Sequence, residues 1–152
     1  MIFHGGNGMD HEEKAAELFE AGYNCSQSVA GAFAEELGFS EKQIMTVIAG
    51  LGGGVGRMRE VCGAVSGMAV VLSMKEGGYD VNDQEGKHKL YGDIQAVADR
   101  FKEENGAIRC SELLGIERDG SMPSKRDAAF HKRPCKEYVR CAAKILEEYL
   151  ES

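Results

Sequence analysis

GGGVGRMREVCGAVSG, residues 52–67, is the stretch whose reading decides the fold. A glycine-rich loop runs into Cys62, and Gly63 and Gly67 follow four residues apart with only Ala64, Val65 and Ser66 between them. Residues at that spacing share one helical face, so this side of a helix is nearly bare backbone. A bare face lets a neighbouring helix, or a bulky cluster, come unusually close to the thiol, which offsets the helix cost of about 1 kcal/mol for each glycine. From Met58 to about Lys75 the chain is apolar on nearly every side, the pattern of a central helix surrounded by others.

Working outward, the same periodicity recurs. Asp10 with Glu13 forms an N-terminal capping pair for a first helix carrying Ala15, Ala16, Leu18 and Phe19. Asn24 caps a second, with Cys25, Val29, Phe33 and Leu37 at four-residue spacing, and Ser40 with Gln43 opens a third carrying Ile44, Val47, Ile48 and Leu51. Downstream of Gly77-Gly78, a helix beginning near Asn82 and Asp83 bears Leu90, Ile94, Val97 and Phe101 and stops at Asn105-Gly106. Cys110 to Gly115 reads as one helical turn, Ile116 to Arg133 as a long surface loop, and Pro134 as the start of a final helix with the stripe Cys135, Val139, Ala142, Leu146 and Tyr149. No β-branched alternation persists between turns. The expectation is an all-α fold, a compact bundle of five to six helices around the central glycine-containing helix. Residues 1–9 read as an N-terminal extension and 10–152 as a single helical domain.

The net charge of −7 includes no Lys/Arg block able to neutralise phosphates, which argues against nucleic acid as a partner. The longest apolar stretch is shorter than the ~20 residues a bilayer demands, and no cationic segment followed by an apolar run opens the chain. These features predict no membrane insertion and a cytoplasmic location. Five cysteines in such a setting suit reduced thiols, metal ligands or redox groups better than a disulfide framework.

Cys25, Cys62 and Cys135 each fall on an apolar stripe and point inward. Cys110 sits among Ile108, Leu113 and Leu114 in a segment that docks on the core, whereas Cys141 lies off the main apolar face. No Cys-x-x-Cys pair is present, so spacing alone leaves both a converging set and a scatter of core thiols open. The loop before Cys62 matches neither a phosphate-binding lysine loop nor a dinucleotide fingerprint. Its exposed N–H groups, with Arg57 and Arg59, predict a stabilised thiolate at Cys62 about one turn into the helix. His4, His11, His88 and His131 occupy polar sequence and read mostly as solvated; His131, four residues before Cys135, is the one retained as an extra ligand or proton carrier.

The segments GYNCSQSV (22–29), GRMREVCGAVSG (56–67), CSELLG (110–115) and RPCKEYV (133–139), in that order, resemble a bacterial family with a proposed redox role, known by its C, CGAxxG, C, C cysteine pattern. The resemblance runs from about Glu12 to Tyr149. It implies a small helical protein whose four signature cysteines are Cys25, Cys62, Cys110 and Cys135, with Cys141 outside the pattern.

Three readings follow. In the first, the four cysteines hold an iron–sulfur cluster, or a metal such as zinc, for electron transfer to a redox partner protein, with Gly63, Gly67 and Arg57 lining the group. In the second, Cys62 and one partner cysteine cycle between dithiol and disulfide, as an oxidoreductase or redox sensor. The third is a helical binding module whose cysteines only pack. The glycine-rich face also leaves room for association between copies.

Overall fold

The computed structural model describes residues 10–121 and 134–152. Among these residues the regular structure is helical: α1 (His11–Glu20), α2 (Cys25–Ala34), α3 (Glu41–Val47), α4 (Gly52–Val55), α5 (Gly63–Glu76), α6 (Gln84–Asn105), α7 (Cys110–Leu114) and α8 (Cys135–Glu151). The fold is all-α. The only strand-like pairing among them is an isolated antiparallel bridge between Val61 and Arg109.

The helix starts follow from local chemistry. The Asp10 carboxylate accepts from the Glu13 N–H, and Ser40 Oγ accepts from the Gln43 N–H. Asn24 and Gln27 form a reciprocal capping box at α2. Each of these satisfies a donor that the first turn of a helix leaves unpaired. Gly77 and Gly106 end α5 and α6 in the left-handed conformation that suits glycine.

The centre of the bundle is the α2–α5 pair rather than α5 alone. Helix α2 buries Ser26 and every residue from Ser28 to Ala34, and it touches α1, α3, α5 and α8. Its alanines and Gly31 make it thin enough to be surrounded. Around this pair, Phe33, Met68, Leu72, Val97, Phe101, Val139, Ile145 and Leu146 fill the core. At about 2 kcal/mol for each fully buried large apolar side chain, these groups supply much of the drive to fold.

Two expectations are corrected here. Helix α5 begins at Gly63, not near Met58, because Arg59 has a φ of +62° and residues 59–62 pair with 108–111 instead of coiling. His11 is not solvated. It is 2% exposed, stacks on Phe33 at 4.1 Å, and its Nδ1 and Nε2 lie 3.0 and 2.9 Å from the Glu147 and Glu36 carboxylates. The cluster joins the starts of α1, the end of α2 and α8, which a sequence window around His11 does not contain. His88 is exposed, and His4 and His131 lie outside the described residues, as does most of the loop expected over 116–133.

Candidate functional site

The glycine face of α5 lies against α2. A Cβ placed on Gly67 would stand 2.8 Å from Val29 Cβ and 3.0 Å from the Ser26 carbonyl oxygen; one on Gly63 would stand 3.1 Å from Cys25 Cβ and 3.1 Å from the Ser26 N–H nitrogen. The bare face is thus consumed by a helix crossing, and that crossing brings the start of α2, with Cys25, beside the start of α5, with Cys62. Gly63 reaches the pocket described below, whereas Gly67 packs deeper, against α2.

Cys62 is tied to Cys110 through the main chain. The Cys62 N–H donates to Ile108 O at 2.8 Å, the Cys110 N–H to Glu60 O at 2.6 Å, and the Ser111 N–H to Arg59 O at 3.1 Å. Outside this clamp, the Arg109 guanidinium grips the Glu60 carboxylate with Nε and Nη2, both at 3.1 Å. Cys135 completes the ring from α8. Its thiol lies beside that of Cys25 in the pocket lining, and the buried Tyr138 hydroxyl, one turn on, donates to Leu113 O at 3.2 Å and so fixes α8 to α7. All five cysteines are thiols.

The four elements enclose a pocket of about 510 Å³ lined by Cys25, Cys62, Cys110 and Cys135 together, with apolar walls from Phe19, Leu113, Leu114 and Tyr138. Cys62 and Cys110 are buried, and Cys25 and Cys135 half-buried. Cys141 is elsewhere. On the side of α8 facing α6, its thiol donates to Glu104 Oε2 at 3.0 Å and accepts from Asn105 Nδ2 at 3.4 Å.

Residues 53–59 form the pocket's remaining wall, and their backbone is unusual. Gly53, Gly54, Val55, Gly56 and Arg57 all have φ between +56° and +70°, and Arg59 follows at +62°. Consecutive left-handed residues cost roughly 1–2 kcal/mol each when they carry a side chain, so Val55, Arg57 and Arg59 are held there by their surroundings. Backbone bonds do the holding: Gly56 N–H to Gly50 O at 2.8 Å, Arg57 N–H to Gly52 O at 3.3 Å, Met58 N–H to Val55 O at 2.9 Å, Arg59 N–H to Gly53 O at 3.1 Å, and Glu60 N–H to Gly54 O at 2.9 Å. Gly54 is required for a second reason, since a Cβ there would lie 2.6 Å from the Glu60 nitrogen and 2.7 Å from Cys110 Cβ. The result carries Arg57 and Arg59 into the pocket wall, with Arg59 Nη1 3.8 Å from Cys110 Sγ.

The electrostatics of the thiols run against the stabilised Cys62 thiolate expected from sequence. Cys62 occupies the N-cap of α5, where the Ala64 and Val65 N–H groups favour the thiolate without closing a side-chain cap hydrogen bond. Burial outweighs them and, with the neighbouring Cys110 and Cys135, pushes the thiol up to about 11. Cys25 is shifted upward as well, by the Cys135 thiol beside it first, then by burial and by the charges that Cys135, Cys62 and Cys110 would carry. Thiols so placed stay protonated at neutral pH.

Among the described residues, no three His, Cys, Asp or Glu side chains are gathered tightly enough to grip a single metal ion. The donor chemistry of the pocket still fits a larger group that spreads its bonds. Four thiols from four elements face one space, the Ala64 and Val65 N–H groups favour charge on the Cys62 sulfur, an arginine donates to that of Cys110, and Gly54 and Gly63 let Cys110 and Cys25 approach the wall closely.

No helix among the described residues is long and apolar enough to cross a membrane. Searches of curated proteins and of solved structures returned no match. A family model described as "Putative redox-active protein (C_GCAxxG_C_C)" matches residues 23–149, a span that contains all four pocket cysteines. In this chain the central motif reads Cys62-Gly63-Ala64-Val65-Ser66-Gly67, with the cysteine ahead of the glycine. With most of its length matched and the cysteine order kept, the chain belongs to this family.

Proposed function

We propose that this chain is an electron-transfer protein in which Cys25, Cys62, Cys110 and Cys135 hold an iron–sulfur cluster. The observation that carries the reading is that four thiols, drawn from α2, α5, α7 and α8, line one pocket. Bound there, such a cluster supplies reversible one-electron chemistry. The chain's own groups supply its setting. The Ala64 and Val65 N–H groups at the start of α5 favour charge on the Cys62 sulfur and Arg59 donates to that of Cys110, both of which stabilise negative charge on cluster ligands. The apolar wall of Phe19, Leu113 and Leu114 limits water.

Two arguments favour a cluster over the alternatives. The upward shifts of Cys25 and Cys62 suit ligands, whose protons a metal displaces, better than nucleophiles, which need a lowered thiol. A tetrahedral zinc site needs four sulfurs about 2.3 Å from one point, a tighter gathering than the described side chains form, whereas a cluster divides its thiolates among several irons. The partner is then a protein that donates or accepts single electrons, in a reducing, cytoplasmic setting that keeps the thiols available.

A dithiol–disulfide cycle is the second reading, and the Cys135 thiol, the largest cause of the upward shift at Cys25, makes those two the favoured pair for it. Purification and reconstitution without oxygen separate the two. The cluster reading expects acid-labile sulfide and iron bound to the chain, with a visible absorbance that bleaches on reduction. Metal-free protein that loses two thiols reversibly on mild oxidation, after reconstitution has failed, overturns it in favour of the pair.

A further inference from the structure

The wall formed by residues 53–59 carries charge that the described residues leave without a carboxylate partner. In a chain with net charge −7 and 25 acidic residues, no Asp or Glu among the described residues lines the cysteine pocket, while Arg57 and Arg59 both do. The other arginines with ion-pair partners, Arg100, Arg109 and Arg140, meet carboxylates; neither Arg57 nor Arg59 has one within 4.0 Å among the described residues. Moreover, Arg59 Nε is buried and has no hydrogen-bond acceptor. A buried donor without an acceptor costs about 1–3 kcal/mol, and Arg59 is brought to this position by a left-handed backbone that adds further strain. A guanidinium held beside Cys110 with no carboxylate near it among the described residues, and with a buried Nε that has no acceptor, implies an acceptor from outside them.

We propose that the pocket binds a small organic oxyanion, its anionic group on Arg57 and Arg59 and its apolar body against Phe19, Leu113 and Leu114. This deepens the redox reading by naming the class of molecule presented to the four-cysteine centre, and it rests on that reading for its purpose, but not for its binding. The volume of about 510 Å³ falls within the range of small-molecule sites, roughly 300–1,000 Å³, and the mixture of a mostly apolar lining with a few convergent polar groups is the composition such sites have. The planar guanidinium of Arg59 lines the pocket while its Nη1 faces the Cys110 sulfur, so one side chain can hold the anion and touch the redox wall at once.

The test uses reduced, metal-free, full-length protein and two probes, inorganic phosphate and phenyl phosphate, titrated by calorimetry at low and moderate salt. Both are expected to bind, with affinity falling as salt rises, and phenyl phosphate at least about tenfold more tightly because its ring reaches the apolar wall. Arg57→Gln/Arg59→Gln is expected to weaken phosphate by at least about tenfold with its melting temperature within a few degrees of the parent. Arg57→Lys/Arg59→Lys, which keeps both charges, should retain binding and confirms that the site survives substitution. Absence of binding by either probe, or binding equal in the glutamine variant, overturns the proposal and leaves the arginines as counter-charges for the thiolates. Because no metal is present in the assay, a failure to incorporate iron would bear on the cluster and not on this site.

Discussion

Substituting alanine for Gly67 tests the step on which the site depends, the close crossing of α2 and α5. An added Cβ would lie 2.8 Å from Val29 Cβ and 3.0 Å from the Ser26 carbonyl oxygen, against ordinary carbon contacts of about 3.5–4.0 Å. Val29 is fully buried and branched at that carbon, and Ser26 O is backbone, so neither can yield alone. The helices must part by several tenths of an ångström. Overpacking of this kind costs about 1–3 kcal/mol, and the gain in helix propensity returns about 1 kcal/mol, so with two stiff neighbours the net loss is about 1–2 kcal/mol. For a chain of this size that lowers the melting temperature by roughly 2–8 °C. Gly92 in α6 is the matched control, since a Cβ there meets nothing within 4 Å, and Gly92→Ala should stabilise by about 0.5–1 kcal/mol. Thermal unfolding read by far-ultraviolet circular dichroism measures both. Opposite signs are predicted, together with poorer iron retention for Gly67→Ala alone, because parting the helices also separates Cys25 from Cys62. Stabilisation by both substitutions would refute the close crossing and the origin of the site with it.

Other outcomes follow from the same geometry. Gly54→Ala combines a φ of +70° with a Cβ 2.6 Å from the Glu60 nitrogen and 2.7 Å from Cys110 Cβ; denaturant unfolding should show a loss of at least about 2 kcal/mol. The Cys62 thiol, raised from 9.0 to about 11, keeps its proton in the folded chain over a range where the unfolded chain has lost it. The contribution is therefore full below about pH 9 and is lost as pH rises towards 11, roughly 2–3 kcal/mol for metal-free protein, and Cys62→Ser should flatten that part of a stability–pH curve. Replacing His11 with leucine leaves the Glu36 and Glu147 carboxylates facing an apolar group; a loss of about 1–3 kcal/mol is expected in chemical denaturation, less if either carboxylate swings to water.

Much of this was legible in the sequence because it is local. The Asp10, Asn24 and Ser40 caps, the Gly77 and Gly106 stops and the single turn at Cys110 each depend on residues within a few positions of one another. The separation of Cys141 from the other cysteines follows from its angle on α8, and the bare face from the spacing of Gly63 and Gly67. What that face meets, the branched Val29 and the Ser26 backbone, is a matter of packing between helices and has no sequence signature of its own.

The left-handed run through Val55, Arg57 and Arg59 was not legible, since only glycine advertises positive φ and three of these positions carry side chains held by bonds from Gly50, Gly53 and Gly54. That run also moved the start of α5 and placed Cys62 at its cap. The charge state of Cys62 escaped for a related reason: sequence displays the helix N-terminus that lowers a thiol, but not the burial that here outweighs it. The buried His11 likewise depends on Glu147, far along the chain.

The most direct measurement is iron bound per chain after reconstitution without oxygen in five single variants, each with one cysteine changed to serine. The account predicts that changing Cys25, Cys62, Cys110 or Cys135 reduces loading and alters the spectrum of what remains, while Cys141→Ser loads as the parent does. Loading that is indifferent to the four, or that falls equally with Cys141, would contradict a single centre built from the pocket thiols.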